Sequence, residues 1–178
     1  MVILSTERLI LREFEKKDFP SVHEYASDPK VVKFMPWGPN SPSETRRFIE
    51  NAIQNQIKKP RTSYELAIIL NNDLIGGCGI TIHSVSDKRG EIGYCIRRDQ
   101  WGRGLGTETA AKLIEFGFKE LQLHRIIAKC DTSNHASYKI MEKNGMTKEG
   151  VLREEKRIHG EWRDSCLYSI LEYEWIKE

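Results

Sequence analysis

Gln100-Trp101-Gly102-Arg103-Gly104-Leu105-Gly106-Thr107 is the stretch that decides how this chain reads. It follows a strand-like run, Glu91 to Ile96, and opens a segment with apolar residues at Ala110, Leu113, Ile114, Gly117 and Leu121. That spacing predicts an amphipathic helix from Gly104 to Leu121. Glycines on alternate positions let the backbone turn tightly and let a ligand approach closely. Unpaired N–H groups at a helix start, with the helix dipole behind them, suit a phosphate or pyrophosphate. A glycine turn without any ligand is the bland alternative. Two familiar phosphate motifs fail on register. G-x-G-x-x-G needs glycine where Thr107 or Thr109 stands, and a Walker loop needs a second glycine where Thr107 stands.

Outward from the loop, helices and strands interleave. Leu9 to Arg12 alternates as a first strand. Asp18 and Pro20 open a short helix that stops before Asp28-Pro29. Ser41-Pro42-Ser43-Glu44 is a capping box, and the helix it starts ends at Pro60. Tyr64 to Leu70 and Leu74 to His83 read as strands around an Asn71-Asn72-Asp73 turn. Ile126 to Cys130 is a further strand, and Asn134 to Asn144 is a helix closed by Gly145. Thr147 to Ile158 and Trp162 to Leu171 form a hairpin around His159-Gly160. The order predicts an α+β domain: a mostly antiparallel sheet of about seven strands with helices on its faces. A length of 178 residues fits one domain spanning the chain.

Composition narrows the function. With 28 Lys+Arg against 26 Asp+Glu, the net charge is +2, which argues against a dedicated nucleic-acid binder. The longest apolar run, Leu66 to Leu70, is five residues, whereas a membrane helix needs about 20. The opening MVILSTERLILREF lacks the basic-then-apolar order of a signal peptide. Cys78, Cys95, Cys130 and Cys166 form no C-x-x-C pair, which reads as reduced core thiols in a cytoplasmic protein. The five histidines form no metal-spaced pair, so no metal is expected.

The glycine loop resembles the acetyl-CoA-binding motif of the GNAT N-acetyltransferases, R/Q-x-x-G-x-G/A ahead of a helix. Gly104 and Gly106 match and Gly102 fits a frequent variant, while Trp101 stands where Arg or Gln is usual. Trp-Gly-x-Gly is similar to the RimJ/RimL branch, the ribosomal-protein N-terminal acetyltransferases. Leu4-Ser5-Thr6-Glu7-Arg8-Leu9-Ile10-Leu11-Arg12, Glu91-Ile92-Gly93-Tyr94, Asn134-x-x-Ser137, Glu149-Gly150-Val151-Leu152-Arg153 and Gly160-x-x-x-Asp164 resemble that branch in the right order.

The resemblance implies a GNAT fold, with a bulged fourth strand splayed from the fifth, and direct acetyl transfer from acetyl-CoA to an amine. It implies main-chain contacts from Tyr94, Cys95 and Ile96 to the pantetheine arm, and N–H groups from Gly102, Arg103, Gly104, Leu105, Gly106 and Thr107 around the pyrophosphate. Asn134 is implied to meet the pantetheine arm, and it equally suits a helix N-cap. Met141 replaces the tyrosine acid of many family members, so Ser137 is implied beside the leaving thiolate; a small packing residue is the other reading. Glu91 matches a catalytic glutamate of some members. Lys156 falls where RimL enzymes carry another glutamate, and strand alternation sends the adjacent Glu155 to the opposite face. A weak base favours an α-amine, with a pKa of about 7.7–8.0, over lysine near ~10.4. The expected acceptor is therefore a protein N-terminus. A small amine (an amino sugar, polyamine or drug) and a non-catalytic acetyl-CoA-binding module are the alternatives. Phe34-Met35-Pro36-Trp37 lies where this fold shapes its acceptor cleft, though core packing suits it as well. The expected assembly is a monomer or homodimer.

Overall fold

A computed structural model describes residues 2–175. Its strands are β1 (Ile3–Ser5), β2 (Leu9–Glu13), β3 (Ser63–Leu70), β4 (Asp73–Ser84), β5 (Arg89–Ile96), β6 (Arg125–Asp131), β7 (Thr147–Ile158) and β8 (Glu161–Leu171). The helices are α1 (Phe19–Ala26), α2 (Pro42–Ile57), α3 (Leu105–Lys119), α4 (His135–Lys143) and the short α5 (Glu172–Trp175). One eight-stranded sheet runs β1-β2-β3-β4-β5-β6-β8-β7, where about seven strands were expected. The addition is the three-residue β1, paired with β2 and too short to show a period.

Every neighbouring pair is antiparallel except β5 and β6, which run parallel. That pair bonds only from Arg89–Arg125 to Glu91–Ile127 and then diverges. The rest of β5, as far as Ile96, stays paired with β4 on its other side. The expected splay is therefore present, but the expected bulge sits elsewhere. Ile82 faces Gly90 and Ser84 faces Arg89, so the extra residue is His83 on β4, while β5 from Gly90 to Ile96 keeps regular register.

Strand alternation divides the core between the two faces. Ile92, Tyr94, Ile126, Ala128 and Cys166 pack with Leu113 and Ile114 of α3 and Met141 of α4. On the other face, Phe14, Ala67 and Leu74 pack with Val22 and Tyr25 of α1 and Ile49 and Ala52 of α2. Leu113 and Ile114 are fully buried, each contributing about 1.5–3 kcal/mol of apolar burial. The Ser41 capping box forms as read: Ser41 Oγ accepts the Glu44 N–H at 3.3 Å, and the Glu44 carboxylate accepts the Ser41 N–H at 2.7 Å. The four cysteines are free thiols, three of them buried, and burial pushes the Cys130 thiol up to about 11. Among the described residues no helix is long and apolar enough to cross a membrane.

Candidate active site

The glycine loop closes the end of β5. The Trp101 indole N–H donates to the Ile96 carbonyl at 2.7 Å, so the unusual aromatic at this position ties the loop to the last carbonyl of the strand. Gly102 and Gly104 lie at φ +76 and +77, the left-handed region that an L side chain enters only with strain. Gly104 is the N-cap of α3 and offers no side-chain acceptor to the first turn. Among the described residues the N–H groups of Leu105, Gly106 and Thr107 meet no acceptor, as a helix start leaves them. Gly106 has a different reason to be glycine. It is buried, and a Cβ there would come 2.7 Å from Ile140 of α4. The three glycines thus divide into two turn residues and one contact between helices.

Tyr94, Asn134 and Ser137 meet on the α3–α4 side of the β5–β6 gap. The Asn134 side chain accepts the Ser137 N–H at 3.2 Å and caps α4, which fixes the first turn that carries Ser137. The Tyr94 hydroxyl donates to the Ser137 carbonyl at 3.2 Å and lies 3.2 Å from Ser137 Oγ. Burial raises the Tyr94 phenol well above its ordinary value, although its bond to Ser137 works the other way. The phenol therefore keeps its proton at neutral pH. Sequence reasoning used only the main chain of Tyr94 and missed this hydroxyl. Its alternation with Ile92 and Ile96 was the available signal. Cys95 faces the opposite way, into the α1–α2 core, where burial pushes its thiol up to about 12.

Glu91 opens on that opposite face. Its carboxylate lies 3.0 Å from His83 Nε2 and 3.6 Å from Lys129 Nζ, and Lys129 bonds Glu155 Oε1 at 2.7 Å. Glu155 corrects the sequence-based expectation. Residues 153–155 of β7 stand opposite the single residue Asp164, between the pairs Leu152–Ser165 and Lys156–Arg163. Glu154 sits at φ +50, with its N–H held by Asp164 Oδ1 at 2.8 Å. The bulge breaks alternation and turns Glu155 onto the face of Lys129 and Glu91. Burial raises the Glu155 carboxyl, but the hydrogen bond and charge of Lys129, with the Ser165 hydroxyl nearby, outweigh it and leave it below the ordinary value. Ser137 and Glu91 make no direct contact; they flank the gap from opposite faces.

A cleft of about 810 Å³ lies beneath α1 and α2 on the Glu91 side. Met35, Pro36 and Trp37 line it, as do Tyr25, Glu65 and Gly93. The directly paired Gly79 and Gly93 leave its sheet floor without side chains, and a Cβ on Gly93 would meet nothing within 4 Å. Outside the cleft lining, His159 Nε2, at the tip of the β7–β8 hairpin, lies 3.3 Å from the Val32 carbonyl. Among the described residues no group of three or more His, Cys, Asp or Glu could hold a metal ion.

A split sheet, a glycine loop at the mouth of the split and a cleft on its far side are the features that the GNAT resemblance implies. A model of the acetyltransferase (GNAT) domain matches residues 8–147, and the chain belongs to that family. It is thereby an acetyl-CoA-dependent N-acetyltransferase. It is 36% identical over 173 residues to the uncharacterized N-acetyltransferase YnaD of Bacillus subtilis (strain 168), covering 97% of this chain and 98% of that protein. A crystal structure of a GNAT-family acetyltransferase from Bacillus anthracis superposes with TM-score 0.85 at 34% identity, covering 97% of this chain and 99% of that one. The RimL ribosomal L7/L12 α-N-protein acetyltransferase, solved with coenzyme A, shares the fold at TM-score 0.86 and 20% identity, over 96% of this chain and 98% of that one.

Proposed function

We propose that the chain, acting as one domain, acetylates the α-amine of a polypeptide N-terminus inside the β5–β6 gap. The observation that carries this is the gap itself. It opens on both sheet faces, with a hydroxyl pair on one and a carboxylate–lysine cluster on the other. Acetyl-CoA, when bound, supplies an activated acyl group and a thiolate leaving group. The N–H groups from Gly102 to Thr107 hold its pyrophosphate, and the unpaired edge of β5 at Tyr94, Cys95 and Ile96 pairs with the amide arm as an added strand would. Asn134 keeps its cap bond and turns its amide N–H toward that arm.

The acceptor nitrogen enters from the cleft side. Glu155, ionised at neutral pH, and Glu91 accept its proton, while Lys129 holds the two carboxylates in place. Ser137 and Tyr94 donate to the departing sulfur, since a proton donor placed there lowers the barrier to thiolate loss. Glu155 removes the earlier reason for an α-amine, the missing base. What supports a chain end is the larger neutral fraction of an α-amine at pH 7. The cleft lining favours a second reading, a small cationic amine, because Glu44, Glu65 and Glu91 outnumber Arg47 there.

A peptide with a free N-terminal Ser, Ala or Thr and an internal lysine, incubated with acetyl-CoA and read by mass spectrometry, tests the assignment. Acetylation at the α-amine alone is expected, and acetyl-lysine overturns it. Rapid turnover of a small cationic amine beside an untouched peptide establishes the second reading.

A further inference from the structure

The opening motif Thr6-Glu7-Arg8-Leu9 takes no part in the chemistry above, yet it reaches the glycine loop. Glu108, in the first turn of α3, gathers its donors from that motif. Thr6 Oγ1 donates to Glu108 Oε1 at 2.5 Å and the Arg8 N–H at 3.0 Å. Arg8 Nε and Nη2 both lie 2.6 Å from Glu108 Oε2. The third guanidinium nitrogen, Nη1, donates to the Arg103 carbonyl at 3.0 Å. Thr6 is held in turn, accepting the Leu9 N–H at 2.8 Å. The Glu108 side chain is 17% exposed and that of Arg8 44%, so this is a shielded carboxylate under a partly wet guanidinium rather than a loose surface pair.

Two consequences bear on the loop. A carboxylate in the first turn suits the helix dipole, but it repels any second anion placed at that helix start. Arg8 neutralises Glu108 on the spot. Arg8 also engages the Arg103 carbonyl, one residue before the left-handed Gly104, and a Cβ on Gly104 would lie 3.6 Å from Arg8 Nη2. The guanidinium therefore backs the loop at the Arg103–Gly104 peptide, whose carbonyl points away from its own N–H.

We infer that Thr6, Arg8 and Glu108 form a clamp that positions the Arg103–Thr107 loop as the pyrophosphate cradle, which makes Arg8 a positioning residue for the donor substrate. The inference rests on the reading of that loop given above. Among the described residues no hydrogen bond or ion pair joins the clamp to Tyr94, Ser137, Glu91 or Glu155, so its loss acts on the pyrophosphate end of the donor and spares the thioester end.

Two donors with the same thioester separate these ends: acetyl-CoA, and acetyl-pantetheine, which lacks the pyrophosphate. Arg8→Ala is expected to raise KM for acetyl-CoA about 10- to 100-fold, the range of one lost charge-assisted contact, with kcat and the acetyl-pantetheine kinetics unchanged. Glu108→Gln, which keeps the shape of the carboxylate, is expected to raise the same KM by a smaller factor. Arg8→Lys keeps the charge but cannot bond Glu108 and the Arg103 carbonyl together, so it stays impaired. Equal losses with both donors, no loss with either, or full rescue by lysine would overturn the clamp. Gly104→Val in the same assay separates the two readings. If it discriminates between donors while Arg8→Ala does not, the clamp alone fails; a parent enzyme with the same KM for both donors refutes the cradle and the clamp together.

Discussion

On the α3–α4 side of the β5–β6 gap, the site is local. Asn134 caps the helix that carries Ser137, Gly104 caps the helix that the loop opens, and only Tyr94 comes from a distant strand. On the α1–α2 side, His83, Glu91, Lys129 and Glu155 come from four strands and meet only because the sheet aligns them. Local structures of this kind have sequence signatures, since caps and turns demand particular residues within a few positions. A cluster that spans strands has none, because its members are set by register and by a bulge. The side proposed to hold the cofactor is therefore read from motifs, and the side proposed for the acceptor from topology.

The largest expected effects probe the α4 side. Ser137→Ala and Tyr94→Phe should each lower kcat by about 10- to 1000-fold, the scale of acid and oxyanion-type contributions. KM for acetyl-CoA should barely move. Because the two hydroxyls share one hydrogen bond, the double variant should lose less than the product of the two. Steady-state kinetics with chemistry rate-limiting checks this, and unchanged kcat in both would leave the pair as packing.

Glu155→Gln should lower kcat/KM by about 100-fold, the lower end of general-base effects, because an α-amine is already partly neutral. Lys156→Gln should be nearly silent. The reverse order would remove Glu155, and with it the bulge, from the mechanism. Gly93→Leu fills the open floor of the cleft and should raise acceptor KM by about 10-fold, one to two kcal/mol of lost binding, with acetyl-CoA binding unchanged by calorimetry.

The smallest effects concern pH. Glu155 titrates below an ordinary carboxyl, so it is ionised throughout neutral pH. The rise of kcat/KM between about pH 6 and 9 should then follow the acceptor amine, near ~7.7–8.0 for an α-amine, and shift upward with a lysine analogue. Against burial, which raises it, hydrogen bonds from Thr6 and Arg8 hold Glu108 low as well. Carboxyls with depressed folded values contribute stability that is full above the unfolded value, about 4.3, and lost as pH falls through the folded one. Tm should be flat from pH 7 to about 5 and fall below about 4, with a shallower fall in Glu108→Gln.

Fold and site were legible to different depths. The capping box at Ser41, the α3 stripe and the His159-Gly160 turn appear where periodicity and turn chemistry place them. The bulge expected on β5 lies instead at His83 of β4, since both placements open the sheet and a strand of alternating residues favours neither. Glu155 was sent to the wrong face because alternation holds only while the ladder is regular, and residues 153–155 interrupt it against Asp164. The contact of Thr6 and Arg8 with Glu108 was invisible for a simpler reason: Glu108 lies about a hundred positions further along the chain.

By itself, the amino-acid sequence determined the loop, the helices that flank it and the family to which the chain belongs, because glycine spacing, capping residues and apolar periods act over a turn or two of backbone. The tertiary structure alone decided which side chains share a face of the gap. Strand register is set by the packing of the whole sheet, and a single left-handed residue such as Glu154 reverses where its neighbour points.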